Sequence, residues 1–526
     1  MTRRWWMLLL PLGGILTALC LVFPVVGGLQ WFTMVPALLF FLSRAERGGM
    51  KLRVAYGFGF LYFLSFYLLI YHWFFALYPM EFAGISTGEA ALLVVICWLG
   101  LSLLQTVFSA LLFPLYARLS RTRPAQRFPL LAPILFAALY TVFEWSQTLT
   151  WMGVPWARLA LGQEKCGILF NSAAILGPYA ITFALVCVNA LVAYALLHAD
   201  RARATAWVAV AFFAAHTAVG ALGYLTAAPT RGEALVAAAV QGNVGSSGKW
   251  DSDGRTTFDI YEQYTAKAAE AGATLVVFPE TFWPYTLRED TPFGDFVSDL
   301  AIRYDVTIVC GAFHEDDEGN SYNAIFAVLP DGSISDRVYA KQRLVPFGEF
   351  VPMRPVVEFL VPPLADIGML SEDLTKGTSS APLPTDKGQI GALVCFDSIY
   401  ENLTAATVRE GAGLICLSTN DSWFTDSAAV RMHHAQARLR AIESGRWIVR
   451  SADTGISSII SPTGKSFDEQ PPLCEGVSIA TVYVRDTRTV YSYIGNLLVY
   501  LLMAGITVFT VDGIVCAVRA RRQAKK

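Results

Sequence analysis

The sequence predicts a polytopic α-helical membrane domain of about eight spans joined to an α/β domain outside the cytoplasm. Three observations predict it. Of the 526 residues, 54% are hydrophobic, too many for a purely soluble chain. Apolar windows of bilayer length recur through the first part and once more near the end. Between them, short β-rich runs alternate with helical stretches. The formal net charge of −2 excludes a generally basic protein, and nucleic-acid binding with it.

The apolar windows lie near 5–23, 24–42, 54–77, 90–117, 128–146, 174–197, 207–226 and 493–517, each near the roughly 20 residues that cross a bilayer. The first two are divided only near Pro24 and by Gly27 and Gly28. No small-residue cleavage site follows the first, and Leu19 spoils the lipobox-like "LTALC", so its removal is not expected. Lys and Arg collect on the cytoplasmic side of a membrane. Arg3 and Arg4, the group Arg44, Arg47, Lys51 and Arg53, the group Arg118, Arg121, Arg123 and Arg127, then Arg201, Arg203 and the tail "RARRQAKK" all mark one side. Loop 78–89 has no Lys or Arg, and loop 147–166 only Arg158 and Lys165. Both termini are therefore expected in the cytoplasm. The division that follows is a membrane domain over 1–227, an extracytoplasmic domain over 228–488, and a last span with a basic tail over 489–526.

In the outer domain the strand candidates are "ALVAAAVQGN", "TLVVFPET", "VTIVCGAFH", "NAIFAVLP", "IGALVCFD", "AGLICLSTN" and "RWIVRSADTG", with helices expected over 257–272, 292–304, 401–411 and 428–445. Continuous apolar strands suit sheets covered on both faces. The nine cysteines are scattered without CxxC pairs, so no disulfide framework is expected, and Cys310 and Cys416 read as packing residues.

Three polar residues stand where strands should stop: Glu280 in "VVFPET", Lys341 in "YAKQRLVPFGEF" and Cys395 in "ALVCFDSIYE". Open α/β folds place their chemistry at strand carboxyl ends. A thiol needs a base to become a nucleophile, which a carboxylate supplies if burial raises its pKa, and a lysine can meet the charge of a developing oxyanion. Singly, each has an ordinary structural explanation: a wall cysteine, a solvated turn carboxylate, a surface lysine.

Together, and in this order, they resemble the nitrilase superfamily, whose Glu-Lys-Cys triad sits in an α-β-β-α sandwich. The flanking spans with "QGNVGSSGKWD", "FPETFWP", "KQRLVPFGEFVP", "VCFD" and "NDSWF" resemble, over nearly the whole chain, the bacterial apolipoprotein N-acyltransferases, a membrane-embedded branch of it. The resemblance implies that Cys395 is the acyl-accepting nucleophile, Glu280 its general base, and Lys341 the stabiliser of the tetrahedral intermediate, with the Phe396 backbone N–H as a second donor. Glu349 corresponds to the second carboxylate near the triad. Trp250, Asn420, Trp423 and Phe424 match positions lining the substrate approach, with core packing as the other reading of the two tryptophans. The implied substrates are a phospholipid acyl donor and a diacylglyceryl apolipoprotein acceptor. The implied place is the bacterial inner membrane, with the 228–488 domain on its periplasmic side. The implied reaction needs no cofactor, metal or nucleic acid, and a monomer suffices.

The sequence departs from the family's commonest pattern at Phe396-Asp397, where Tyr-Glu is frequent, and at "WFTD", where "WFG" is frequent. The shorter Asp397 leaves its positioning role open. In "FEWSQTLTWMGVPWARLALGQ", Glu144 reads either as a functional residue at membrane depth or as an interfacial anchor within a belt of Trp145, Trp151 and Trp156. The stretch 359–370 reads as a mobile lid or as a buried hairpin. His433 and His434 are adjacent on a predicted helix, point apart and have no acidic or Cys partner at ligand spacing, so no metal is expected. Two other functions stay open: a membrane-tethered nitrilase-like amidase with water as acceptor, and a lipoprotein-binding scaffold.

Overall fold

Inside a bilayer an apolar segment satisfies its backbone hydrogen bonds as a helix, and each of the eight expected segments is helical in the computed structural model, which describes residues 4–80, 85–245, 255–288, 291–360 and 373–523. The chain divides into two compact units. One is Met1–Phe75, Leu93–Leu225 and Ile494–Lys526; the other is Ala76–Leu92 and Thr226–Tyr493.

Trp5–Val22, Pro24–Glu46, Leu52–Leu77, Thr87–Leu119, Pro178–Leu197, Ala202–Thr226 and Leu497–Arg519 are long and apolar enough to cross a membrane; most of their length belongs to the first unit, while residues 76–77, 87–92 and 226 fall in the second. The segment expected over 128–146 is shorter, Leu131–Ser146 at 16 residues, because residues 128–130 are spent in a bend and turn around Pro129. The second segment opens with a 3-10 stretch, Pro24–Trp31, and Gly27 there is obligatory: a Cβ would lie 1.8 Å from the Gly162 carbonyl oxygen. Glu144 is not an interfacial anchor. It is buried, accepting from Thr182 Oγ1 at 2.6 Å and from the Leu159 N–H at 2.9 Å, which joins three segments of the bundle. Of the proposed aromatic belt, Trp156 is also buried, whereas Trp151 is exposed.

Among the described residues the second unit contains twelve strands: β1 (Glu233–Gln241), β2 (Leu275–Val277), β3 (Thr307–Glu315), β4 (Ser321–Val328), β5 (Tyr339–Ala340), β6 (Leu383–Thr385), β7 (Gly388–Val394), β8 (Leu414–Thr419), β9 (Ile448–Ala452), β10 (Ser458–Ile460), β11 (Ser466–Phe467) and β12 (Gly476–Val484). They form two six-stranded sheets, ordered β12-β1-β2-β3-β4-β5 and β11-β10-β9-β8-β7-β6. The centres, β1-β2-β3 and β7-β8-β9, are parallel and the flanks antiparallel.

Side chains alternate across a strand, and β1 displays the rule. Ala237 and Ala239 enter a core with Val277, Val309, Ala392, Val394 and Cys416, which lies between the sheets. Ala238 and Val240 face Tyr261, Val297 and Leu300 from the helices Arg255–Glu270 and Pro292–Tyr304. Helices Glu401–Arg409 and Ala428–Ser444 accompany the second sheet, which completes α-β-β-α layering. Cys310 and Cys416 are fully buried in these cores. Hydroxyls stitch the sheets together near the ends of the parallel strands: Ser418 Oγ donates to the Phe278 carbonyl at 2.8 Å and Ser451 Oγ to that of Val240 at 2.6 Å.

Gly311 of β3 lies directly beneath the turn after β2, and a Cβ there would sit 2.7 Å from the Pro279 carbonyl oxygen and 2.8 Å from Glu280 Cα. Gly311→Ala is expected to cost about 1–3 kcal/mol, as overpacking of a rigid interior does, and to displace Glu280. Thermal unfolding of the detergent-purified variant checks the first effect; a loss of activity larger than the stability loss accounts for checks the second.

Candidate active site

The strands deliver their polar residues to one place. Glu280 follows β2, Lys341 follows β5 directly, and Cys395 follows β7 directly, beginning the 3-10 turn Cys395–Ile399. Two of these ends are bent into the left-handed region that favours glycine: Cys395 has φ 46° and Thr281, next to Glu280, has φ 41°. Such backbone costs on the order of 1–3 kcal/mol per residue and persists where surrounding contacts hold it.

Lys341 Nζ donates to Glu280 Oε1 at 2.8 Å and to Glu349 Oε1 at 2.9 Å. The lysine is 1% exposed. Burial works against its charge, but the carboxylates of Glu280 and Glu349 outweigh it and hold the ammonium well above the ordinary lysine range. Asn323 of β4 was not foreseen. Its Nδ2 donates to the same two oxygens, 2.7 Å from each, so one amide ties both carboxylates. Glu280 Oε2 accepts the Asn420 backbone N–H at 2.9 Å, and Glu349 Oε2 accepts that of Val345 at 2.8 Å.

Cys395 carries a protonated thiol at rest. Burial first, then the charge of Glu280, push it well above the ordinary thiol range, with Lys341 pulling the other way. A nucleophile at this position therefore needs a base, and Glu280 is the carboxylate whose charge the thiol feels most.

The short side chain of Asp397 still reaches partners on three segments. Fully buried, it accepts from Tyr339 Oη at 2.9 Å and from the backbone N–H of Arg343 at 2.7 Å, Gln342 at 3.2 Å and Val394 at 3.3 Å. It thereby clamps the segment carrying Lys341 to the strand carrying Cys395. Burial pushes its carboxyl up to about 7 against these donors and Lys341.

Phe396, Trp423 and Phe424 are partly exposed, and neither Trp423 nor Phe424 belongs to the two sheet cores. Asn420 contributes its backbone N–H to Glu280, and its side chain accepts from the Ser422 N–H at 3.2 Å. Thr425, where glycine is frequent in the family, has φ 46° and ψ −135°, a conformation glycine adopts without strain. Trp250 and most of the 359–370 stretch lie outside the described residues.

The two histidines diverge as helix geometry requires. His434 Nε2 lies 2.9 Å from Ser458 Oγ, whereas His433 Nδ1 lies 2.8 Å from Asp421 Oδ1. The acidic and thiol partners that sequence spacing did not reveal are present in space: ligand atoms of Cys395, Asp421 and His433 lie within 4.8 Å of one another. They fit a metal poorly, because Arg450 Nη2 already donates to Asp421 Oδ2 at 2.9 Å and places a guanidinium where a cation would need room.

Residues 236–491 match the family model described as carbon-nitrogen hydrolase, and residues 13–191 match that of the apolipoprotein N-acyltransferase N-terminal domain. The chain is 30% identical over 514 residues to an apolipoprotein N-acyltransferase of Geobacter metallireducens, covering 95% of this chain and 94% of the relative. It is 31% identical over 462 residues to one of Gloeobacter violaceus, covering 86% and 83%. Among solved structures, Saccharomyces cerevisiae Nit3, described as a member of branch 10 of the nitrilase superfamily, is 20% identical, with 50% of this chain and 93% of that one covered and a TM-score of 0.38.

A raised thiol pKa means less thiolate at any given pH. Alkylation of Cys395 by iodoacetamide in the folded protein is expected to be slower at pH 8 than in the urea-unfolded chain, whose thiol titrates near ~8.5. It should still be accelerating above pH 9, where the unfolded thiol levels off. Mass analysis of the Cys395 peptide across pH reads both rates, and matching profiles would contradict the electrostatic account.

Proposed function

The chain belongs to the apolipoprotein N-acyltransferase family, and from that premise we propose that it moves a fatty acyl chain from a membrane phospholipid, through a thioester on Cys395, to the N-terminal α-amine of a diacylglyceryl-cysteine apolipoprotein. It is a bacterial acyltransferase of lipoprotein maturation held in the inner membrane. The observation that carries the catalytic reading is the buried Glu280–Lys341–Glu349 group at the strand ends beside the Cys395 elbow.

In the first half-reaction, Glu280 takes the Sγ proton as sulfur attacks the ester carbonyl. The resulting oxyanion meets the Lys341 ammonium and the Phe396 N–H. Collapse expels the lysophospholipid alkoxide, which receives the proton from Glu280, and leaves the thioester. In the second, the lipoprotein amine attacks the thioester and gives its proton to Glu280; collapse forms the amide and releases the thiolate, which recovers that proton. Glu349 keeps the ammonium aimed. Asn420, Trp423 and Phe424 border the approach of the lipid chains, a role the family resemblance also gives to Trp250.

Residues 1–227 and 489–526 form the membrane domain in this reading, and residues 228–488 the catalytic domain on the periplasmic side, with both termini cytoplasmic. Support comes from the loop charges, which agree along the chain. Both substrates are anchored in that leaflet, so a bundle of spans serves an acyltransferase, whereas a tethered amidase needs one.

Incubation of the detergent-purified protein with phospholipid and no acceptor is expected to add one acyl chain to the Cys395 peptide, released by hydroxylamine. Cys395→Ala abolishes the adduct, and Glu280→Gln slows its formation by about 10²–10⁴-fold, the usual contribution of a positioned base. A thiol left unmodified while lipid demonstrably reaches the protein sinks the acyl-transfer reading. Orientation is tested separately with an impermeant maleimide on spheroplasts, in a background lacking other accessible thiols. Ser333→Cys is expected to label and Arg121→Cys to stay shielded; the reverse pattern would invert the topology.

A further inference from the structure

We propose that His433 is a positioning residue for the oxyanion, acting through the peptide group that joins Cys395 to Phe396; the inference rests on the acyl-transfer reading above. The Cys395 carbonyl oxygen accepts from Ser398 Oγ at 2.7 Å and lies 3.2 Å from His433 Nε2, which is also 3.0 Å from Ser398 Oγ. Neither neighbour supplies Nε2 with a proton: the carbonyl has none, and Ser398 has given its own to that carbonyl. Nδ1 faces the Asp421 carboxylate, which can only accept, and Nε2 faces the carbonyl, so the hydrogen-bond network assigns a proton to each ring nitrogen and both donate. His433 and Ser398 are two donors converging on one carbonyl.

The imidazole cannot swing away. Its Nδ1 lies 2.8 Å from Asp421 Oδ1 and 3.3 Å from Arg450 Nη2, while Arg450 Nη2 also donates to Asp421 Oδ2 at 2.9 Å and Thr419 Oγ1 to Asp421 Oδ1 at 3.2 Å. All three side chains are essentially inaccessible, at 0–1% exposure. Burial alone would raise the Asp421 carboxyl, but His433 and Arg450 outweigh it and hold it below the usual carboxylate range. The group is a rigid block reaching from β9 through the helix Ala428–Ser444 to the elbow.

The consequence follows from the planarity of the amide. The carbonyl of Cys395 and the N–H of Phe396 belong to one conjugated unit, so fixing the oxygen with two donors fixes the direction of the N–H. Donation to the oxygen also polarises the unit, strengthening the opposite N–H by about 10–30% per bond. At φ 46° the Cys395 backbone does not hold this plane by local preference. His433 touches no reacting atom in this account; it sets the donor that does.

The test uses the full-length protein, phospholipid with a carbonyl-labelled acyl chain and no acceptor, so that the thioester accumulates. Its infrared carbonyl stretch and its rate of formation are measured in wild type, His433→Leu, His433→Gln and Ser398→Ala. His433→Leu is expected to move the thioester band toward the higher wavenumber of a free thioester. It should slow acylation about tenfold, less than the 10²–10³-fold typical of deleting an oxyanion donor outright, and change the half-saturating phospholipid concentration less than twofold. His433→Gln, which keeps an N–H, recovers part of both effects. If His433→Leu does not fold, Ser398→Ala removes the shorter of the two bonds without touching Asp421 or Arg450, and the same band shift is expected. An unshifted band with a wild-type rate in the folded variants overturns the role of His433. A wild-type protein that forms no thioester overturns the acyl-transfer reading instead.

Discussion

An ammonium group almost wholly shut off from water is the constraint on which the catalytic unit is built. Lys341 exists there because two carboxylates, from the turn after β2 and from the 341–349 loop, stand 2.8 and 2.9 Å from it. Removing one partner from such a buried group generally costs about 3–5 kcal/mol, so strand lengths and turns are arranged to keep the three together. Asn323 reinforces them from a fourth direction. Two carboxylates on one ammonium leave the group with a surplus of negative charge, which keeps the adjacent thiol protonated and gives its proton somewhere to go.

Positions this tight require backbone that ordinary strands do not supply. Cys395 and Thr281 sit at left-handed φ where two strands end. Each bend is bound on the far side: Asp397 anchors the Cys395 turn to the lysine segment, Ser398 and His433 hold the Cys395 carbonyl, and Ser418 ties the Phe278 carbonyl to the opposite sheet. Thr425 fits the same pattern without serving it. Its methyl-bearing side chain occupies a glycine conformation in the turn after Phe424, and no contact in the structure accounts for the exchange.

The apolar runs made the seven principal strands and four helices legible, since burial on both faces leaves a continuous hydrophobic signal. Strands β5, β6, β10 and β11 carry two or three residues each, too few for any period. In β12, "GVSIATVYV" neither alternates cleanly nor runs apolar throughout, so it matches no strand template. Glu280, Lys341 and Cys395 were readable because each interrupts an apolar strand at its end and together they match a known order. Asn323, Asp421 and Arg450 were not, because each lies within or beside a segment already explained as strand, and their partners come from other elements. His433 was visible and misjudged for the same reason: helix spacing correctly separates it from His434 but says nothing of an aspartate brought in by β8. Glu144 shows the limit in the membrane unit, where hydropathy places a residue along a span without saying whether it faces lipid or another helix.

The electrostatics that delay the thiolate also bear on what happens after the thioester forms. A thiolate leaves a tetrahedral intermediate less readily as its conjugate thiol becomes a weaker acid, and Cys395 is pushed in that direction by burial and by Glu280. Water is a weaker nucleophile than an amine, and in the proposed reaction an α-amine carried on a lipid anchor arrives at high local concentration and gives its proton to Glu280. There the leaving sulfur is common to both outcomes, so it is the nucleophilicity and local concentration of the acceptor amine that favour transfer over hydrolysis.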